Sequence, residues 1–253
     1  MNLLLQIILY SAASGILALI GALILLGNTK LTKKFSIHLV SFATGTLLAI
    51  AFLNLLPEAL ETAAGESHDV FAWALAGLIA FFLFERIVLK LHFHFHEEDG
   101  THKHPTPVLL LAGDAFHNFI DGAAIAAAFL VNSSLGIVIA IGVALHEVPQ
   151  EIGDFSIMLH HGWKKSLVFW SNFAIALTAV LGAVMAYIAK SAIEPYLPYL
   201  LAFTAGSFIY IAAADLIPEI TREKPLDKKS HTAILLLFGV FIVWLFSNFT
   251  HGH

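Results

Sequence analysis

LAGDAFHNFIDGAAIAAAFL (Leu111–Leu130) and IGVALHEVPQEIGDFSIML (Ile141–Leu159) decide how this chain folds. Each is long and apolar enough to cross a bilayer as a helix, which takes roughly 20 mainly apolar residues. Yet each carries ionisable groups at mid-length: Asp114, His117, Asn118 and Asp121 in the first, and His146, Glu147, Gln150, Glu151 and Asp154 in the second. Residues four apart share a helix face, which pairs His117 with Asp121, His146 with Gln150, and Glu147 with Glu151; Asp114 lies near the His117 face. An ionised group at the bilayer centre costs about 2.5–3.5 kcal/mol on insertion scales. Asp114, Asp121, Glu147, Glu151 and Asp154 therefore need compensation, and neither stretch holds a lysine or arginine. Protonation would neutralise some of them. A divalent cation would neutralise several at once and would also account for the histidines. Polar glue between helices explains one His–Asp pair, but poorly explains two histidines among so many carboxylates. Pro149 has no amide hydrogen for the Leu145 carbonyl, so a kink and a freed oxygen are expected there. Gly122 and Gly153 are expected to let neighbouring helices approach closely.

The rest of the chain extends this pattern. Its 253 residues are 58% hydrophobic and 12% charged, with a mean hydropathy of +0.84; a soluble domain is about a quarter charged. Eight apolar stretches are long enough to span: Leu3–Leu26, Ser36–Leu56, Val70–Leu91, Val108–Val131, Leu135–Leu159, Ser166–Ala189, Leu197–Ile217 and Thr232–Phe249. The first is too long for a signal peptide and no positive charge precedes it. The expected fold class is an all-α membrane protein of eight transmembrane helices, with residues 1–253 forming a single transmembrane domain. The net charge of −5 comes without a basic stripe, so nucleic acid is not an expected partner. The absence of cysteine excludes disulfides and thiolate sites, leaving imidazole and carboxylate for any metal. That ligand set suits zinc, iron, manganese, nickel or cobalt better than Cu(I).

Basic residues set the orientation. Lys30, Lys33, Lys34, Arg86, Lys90, Lys103, Lys164, Lys165, Arg222, Lys224, Lys228 and Lys229 all fall on one side of an eight-span chain, while Lys190 alone falls on the other. That side is expected to be cytoplasmic, with both termini outside it. Span two also resembles span seven: FATGTLLAIAFLNLLPE (Phe42–Glu58) aligns without a gap with FTAGSFIYIAAADLIPE (Phe203–Glu219). The two run in opposite directions, which predicts an inverted 3+2+3 arrangement with spans four and five in the middle. Between spans three and four lies a histidine-rich loop, residues 92–107, with His92, His94, His96, His102 and His104 beside Glu97, Glu98 and Asp99. Its irregular spacing gives no fixed tetrahedral site. Capture or sensing of metal on the cytoplasmic side is its functional reading, and a solvated polar loop the plain one.

At HNFIDG (His117–Gly122) and HEVPQEIGDF (His146–Phe155) the chain resembles the ZIP family of zinc and iron transporters, in the branch typified by mammalian members. The resemblance extends over eight helices, outward termini and the histidine-rich loop. It implies two adjacent metal sites, one from His117, Asp121, His146 and Gln150, the other from Asn118, Asp121, Glu147 and Gln150 or Glu151, with Asp121 bridging. It also implies metal movement into the cytoplasm, one helix bundle sliding past another. Gln150 departs from the histidine or glutamate of relatives, which points to weaker binding at one site. Thr178–Gly182 on span six lacks a glutamate that some bacterial members use. Asp215 matches a position that in some relatives helps metal leave, and Asn54 is its neutral repeat partner. Asp114 and Asp154 are further candidates for the path.

The expected function is therefore transport of a divalent metal across a plasma or inner membrane. Zinc leads as the bound substrate, with Fe2+, Mn2+ and Cd2+ as alternatives, and no catalytic cofactor is expected. A homodimer in the bilayer is compatible with this reading. The competing class is an intramembrane zinc enzyme, a protease or lipid hydrolase, because HEVPQ differs from H-E-x-x-H only at Gln150. A proton-coupled carrier of an organic solute is a third reading, with the carboxylates as its relay.

Overall fold

The computed structural model describes residues 2–27, 29–63, 67–94, 107–222 and 229–250, and every regular element among them is helical. The principal helices are α1 (Leu3–Leu26), α2 (Thr29–Ile50, continuing through a π-helical stretch Ala51–Leu55 into Leu56–Thr62), α3 (Ser67–His94) and α4 (Pro107–Val131). They are followed by α5 (Ser133–His160), α6 (Lys165–Ile188), α7 (Leu197–Tyr210, continuing through a π-helical stretch Ile211–Leu216 into Ile217–Arg222) and α8 (Lys229–Thr250). Seven of these helical runs are long and apolar enough to cross a membrane; the apolar described part of α8, His231–Ser247, is shorter. The helix limits follow the apolar limits closely except on α2, which begins in the polar TKLTKK segment and runs on to Thr62, and α7, which runs on to Arg222. Bilayer thickness limits the apolar stretch and not the helix, so a polar turn can extend a span into the interface.

Only Asn132 separates α4 from α5. It is extended (φ −158°, ψ 157°) and its side-chain oxygen accepts from the Leu135 amide at 2.8 Å, the usual N-cap arrangement. Across this short link the two helices lie antiparallel and side by side, Asp121 level with His146 and Asp114 with Gln150. α5 continues on both sides of Pro149 as one helix, so the Leu145 carbonyl lacks its usual amide partner within an unbroken span.

Small residues bring the helices together, as expected where lipid removes the hydrophobic drive between them. A Cβ at Gly122 of α4 would stand 1.7 Å from the Ala179 carbonyl oxygen of α6, and one at Gly182 would stand 2.0 Å from that of Phe119. Thr178 Oγ1 donates to the Ala115 carbonyl at 2.8 Å across the same seam. The α2–α8 and α3–α7 crossings match one another. Gly45 faces the Leu236 carbonyl and Gly239 that of Phe42; Gly206, the repeat partner of Gly45, faces the Ala74 carbonyl, and Gly77 that of Phe203. The π-helical stretches also fall at aligned positions of the repeat. Gly153 differs from the expectation of close approach: a Cβ there would meet nothing within 4 Å, because it lies off the α4 contact.

Most of the large, fully buried side chains are apolar (Ile7, Leu47, Leu55, Ile125, Ile139, Leu201, Phe208), with His146, Glu147 and Glu151 as the polar exceptions, and many exposed ones are apolar too (Leu17, Ile24, Trp170, Ile188, Leu237), the pattern of a bundle facing lipid. Gly122→Ala is expected to lower thermal stability in detergent by about 1–3 kcal/mol, the usual cost of overpacking. Gly153→Ala should leave it unchanged or raise it by up to about 1 kcal/mol, since alanine is the better helix former; thermal unfolding of the two variants checks both.

Candidate metal centre

The antiparallel register set at Asn132 brings the polar positions of α4 and α5 level with each other. His117 and Asp121 project from α4, and His146 and Glu147 from α5; all four are buried, and their ligand atoms lie within 4.8 Å of one another. His117 Nε2 is 3.2 Å from His146 Nε2. Asp121 Oδ2 lies 3.4 Å from His117 Nε2 and 3.2 Å from His146 Nε2. Glu147 Oε1 lies 3.6 Å from His117 Nε2 and 3.8 Å from His146 Nε2. Four ligands held tetrahedrally at the usual zinc distances of about 2.0–2.1 Å stand about 3.3–3.4 Å apart. The nest is therefore close to the size of a tetrahedral zinc shell.

Two details prepare it for a cation. Asp121 Oδ2 and Glu147 Oε1 are buried without a hydrogen-bond donor, an arrangement that is costly in an apolar interior unless something positive faces them. The Gly142 carbonyl lies 3.1 Å from His146 Nδ1. A carbonyl only accepts, so Nδ1 is the donor in this contact and Nε2 faces the nest, the orientation of a metal-ligating imidazole. Aromatic rings close the sides: Phe81 lies edge-on to His117, and Phe208 packs against His146, each with centroids 5.8 Å apart. The Gly142 contact and the two phenylalanines do not stand out in the sequence; only the i−4 spacing of Gly142 from His146 could have signalled the first.

The remaining candidates lie around this nest. Gln150 is one turn beyond His146 and donates instead to Asp114 Oδ1 at 2.8 Å. Asn118 donates to the same oxygen at 3.0 Å and approaches Glu147 Oε2 at 3.5 Å. Glu147 thus takes the fourth place in the nest, its longer side chain reaching round from the next residue of α5, while the Gln150 amide faces Asp114. Glu151 and Asp154 are buried further along the α4–α5 seam. Asp215 lies apart, exposed on the π-helical stretch of α7, near the contact in which the Tyr210 hydroxyl donates to Glu85. Its neutral repeat partner Asn54 is buried and exchanges hydrogen bonds with Ser247 at 2.9 and 3.1 Å. His92 and His94 fall on the last turn of α3, with side chains outside the described set; His96, His102 and His104 lie outside the described residues.

The family model described as ZIP Zinc transporter matches residues 2–109 and 96–247. A protein named zinc transporter ZIP13 from Pongo abelii is 32% identical over 225 residues, covering 84% of this chain and 67% of that protein. Zinc transporter zipt-7.2 of Caenorhabditis elegans is 31% identical, over 82% of this chain and 57% of the relative. Zinc transporter SLC39A7 of Mus musculus is 30% identical, over 83% and 62%.

Imidazole and carboxylate bind metal in their deprotonated forms, so protons compete with the ion. Affinity for Zn2+ or Co2+ is expected to fall as pH is lowered. Bound Co2+ should show the intense visible bands of tetrahedral coordination, and His146→Ala should abolish them; absorption titration of the purified protein checks both.

Proposed function

The chain belongs to the ZIP zinc transporter family, and from that premise we propose that it carries divalent metal, zinc foremost, into the cytoplasm through the nest of His117, Asp121, His146 and Glu147. The observation that carries this reading is the convergence of two histidine Nε2 atoms and two donorless carboxylate oxygens at near-tetrahedral spacing within helices of spanning length. Asn118, Gln150 and Glu151 line the neighbouring polar cluster, where a second ion would sit beside the first. Metal then leaves past Asp215 toward the loop, whose histidines His92, His94, His96, His102 and His104 capture it.

Orientation follows from the basic residues: loops after spans one, three, five and seven face the cytoplasm, and both termini face outward. The membrane is the plasma or inner membrane. The matched Gly45/Gly206 and Gly77/Gly239 crossings and the paired π-helical stretches support an inverted 3+2+3 repeat, with α4 and α5 at its centre. A transporter accounts for the nest better than an enzyme does. Catalytic zinc keeps a position open for water, whereas here the protein itself offers four ligand atoms.

In proteoliposomes the chain is expected to conduct Zn2+ inward, and His117→Ala, Asp121→Ala and His146→Ala should each cut flux at least about tenfold, the lower bound for even outer-shell changes at metal sites. Unchanged flux in all three overturns the reading. Replacing the five loop histidines should alter rate or regulation only modestly. Competition among Zn2+, Fe2+, Mn2+ and Cd2+, repeated with Gln150→His, tests metal choice: the added imidazole should favour Zn2+ and Cd2+ over Mn2+.

A further inference from the structure

Resting on the transport reading above, we propose that Asp114, Glu151 and Asp154 form a further, oxygen-only cation station on the cytoplasmic side of the nest, with the amides of Gln150 and Asn118 holding Asp114 in place for it. The α4–α5 register puts the groups there. Asn118 meets Glu147, and one turn away from the nest Asp114 meets Gln150; Glu151 and Asp154 continue along the same seam. Asp114 and Glu151 are like-charge neighbours of Asp154, and Asp114 of Glu151.

All three are at least nine-tenths buried, at 5%, 2% and 6% exposure. Asp114 Oδ2 and Glu151 Oε2 have no hydrogen-bond donor, and among the described residues no lysine or arginine pairs with any of the three. Unpaired carboxylates at this depth call for a cation. The two amide hydrogen bonds both fall on Asp114 Oδ1. They stabilise it as an anion and leave Oδ2 as its free ligand atom.

The station differs in chemistry from the nest. It has no imidazole, and its oxygens are more widely set, since the nest is the one set among the described residues whose ligand atoms converge within 4.8 Å. Oxygen ligands loosely arranged suit a harder, partly hydrated ion and hold zinc less tightly than imidazole does. Cargo passing from nest to station therefore moves to a site from which it is more readily released.

The test uses the full chain in lipid nanodiscs with His117→Ala and His146→Ala combined, which removes the imidazoles of the nest, and reads Mn2+ binding by electron paramagnetic resonance. One Mn2+ is expected to remain bound. Adding Glu151→Gln and Asp154→Asn should weaken it at least about tenfold, Asp154→Glu should retain it, and Asp121→Asn should leave it nearly unchanged. Absence of Mn2+ binding, binding indifferent to Glu151→Gln/Asp154→Asn, or equal loss with Asp121→Asn overturns the station. In the otherwise unaltered chain, Asp154→Asn should lower zinc flux while the tetrahedral Co2+ spectrum of the nest persists; loss of that spectrum as well would make Asp154 a structural support and overturn its role as a ligand. Absence of zinc flux through the unaltered chain overturns the transport reading, whereas flux without Mn2+ binding overturns the station alone.

Discussion

A single residue between two spanning helices governs the centre of this protein. Asn132 caps α5 directly after α4 ends, and across that short link the two helices pack antiparallel. Every polar contact along the seam follows from that register: Asp121 with His146, Asn118 with Glu147, and Asp114 with Gln150. A slip by one residue would turn the ligand faces by about 100° and bury the carboxylates against apolar neighbours.

Burial then sets the chemistry. In a low-dielectric interior an unpaired carboxylate oxygen is expensive, and four such oxygens lie along the α4–α5 seam, on Asp114, Asp121, Glu147 and Glu151. Helix-to-helix hydrogen bonding satisfies only part of the set. The amides of Asn118 and Gln150 both donate to one oxygen of Asp114, with Asn118 also reaching Glu147, and the Gly142 carbonyl orients the His146 ring without neutralising any charge. The remaining negative potential, focused by Phe81 and Phe208, is what a divalent cation would meet.

Around this charged seam the scaffold is built from small residues and backbone. Glycine lets α4 and α6 touch main chain to main chain at Gly122 and Gly182, and the α2–α8 and α3–α7 pairs do the same. Within these matched pairs, corresponding positions differ in polarity: buried Asn54 exchanges hydrogen bonds with Ser247, whereas Asp215 is exposed near Glu85 and Tyr210. The two crossings are alike in packing and unlike in charge.

Much of this was legible in the sequence. Apolar length gave the spans, because bilayer thickness leaves few other ways to accommodate such stretches. The i, i+4 pairs His117/Asp121 and His146/Gln150 put polar side chains on the facing sides of two adjacent helices. The repeat at Phe42–Glu58 and Phe203–Glu219 was visible by alignment alone. What spacing left open was which side chains meet. Gln150 shares a face with His146, yet its amide is taken by Asp114, and Glu147 swings into the nest instead. Gly122 and Gly153 look alike in sequence, but only the first faces a backbone. Periodicity assigns a residue to a helix face; which atom lies within reach across the gap depends on side-chain length, rotamer and helix separation, and those were decided only when α4, α5 and α6 packed together.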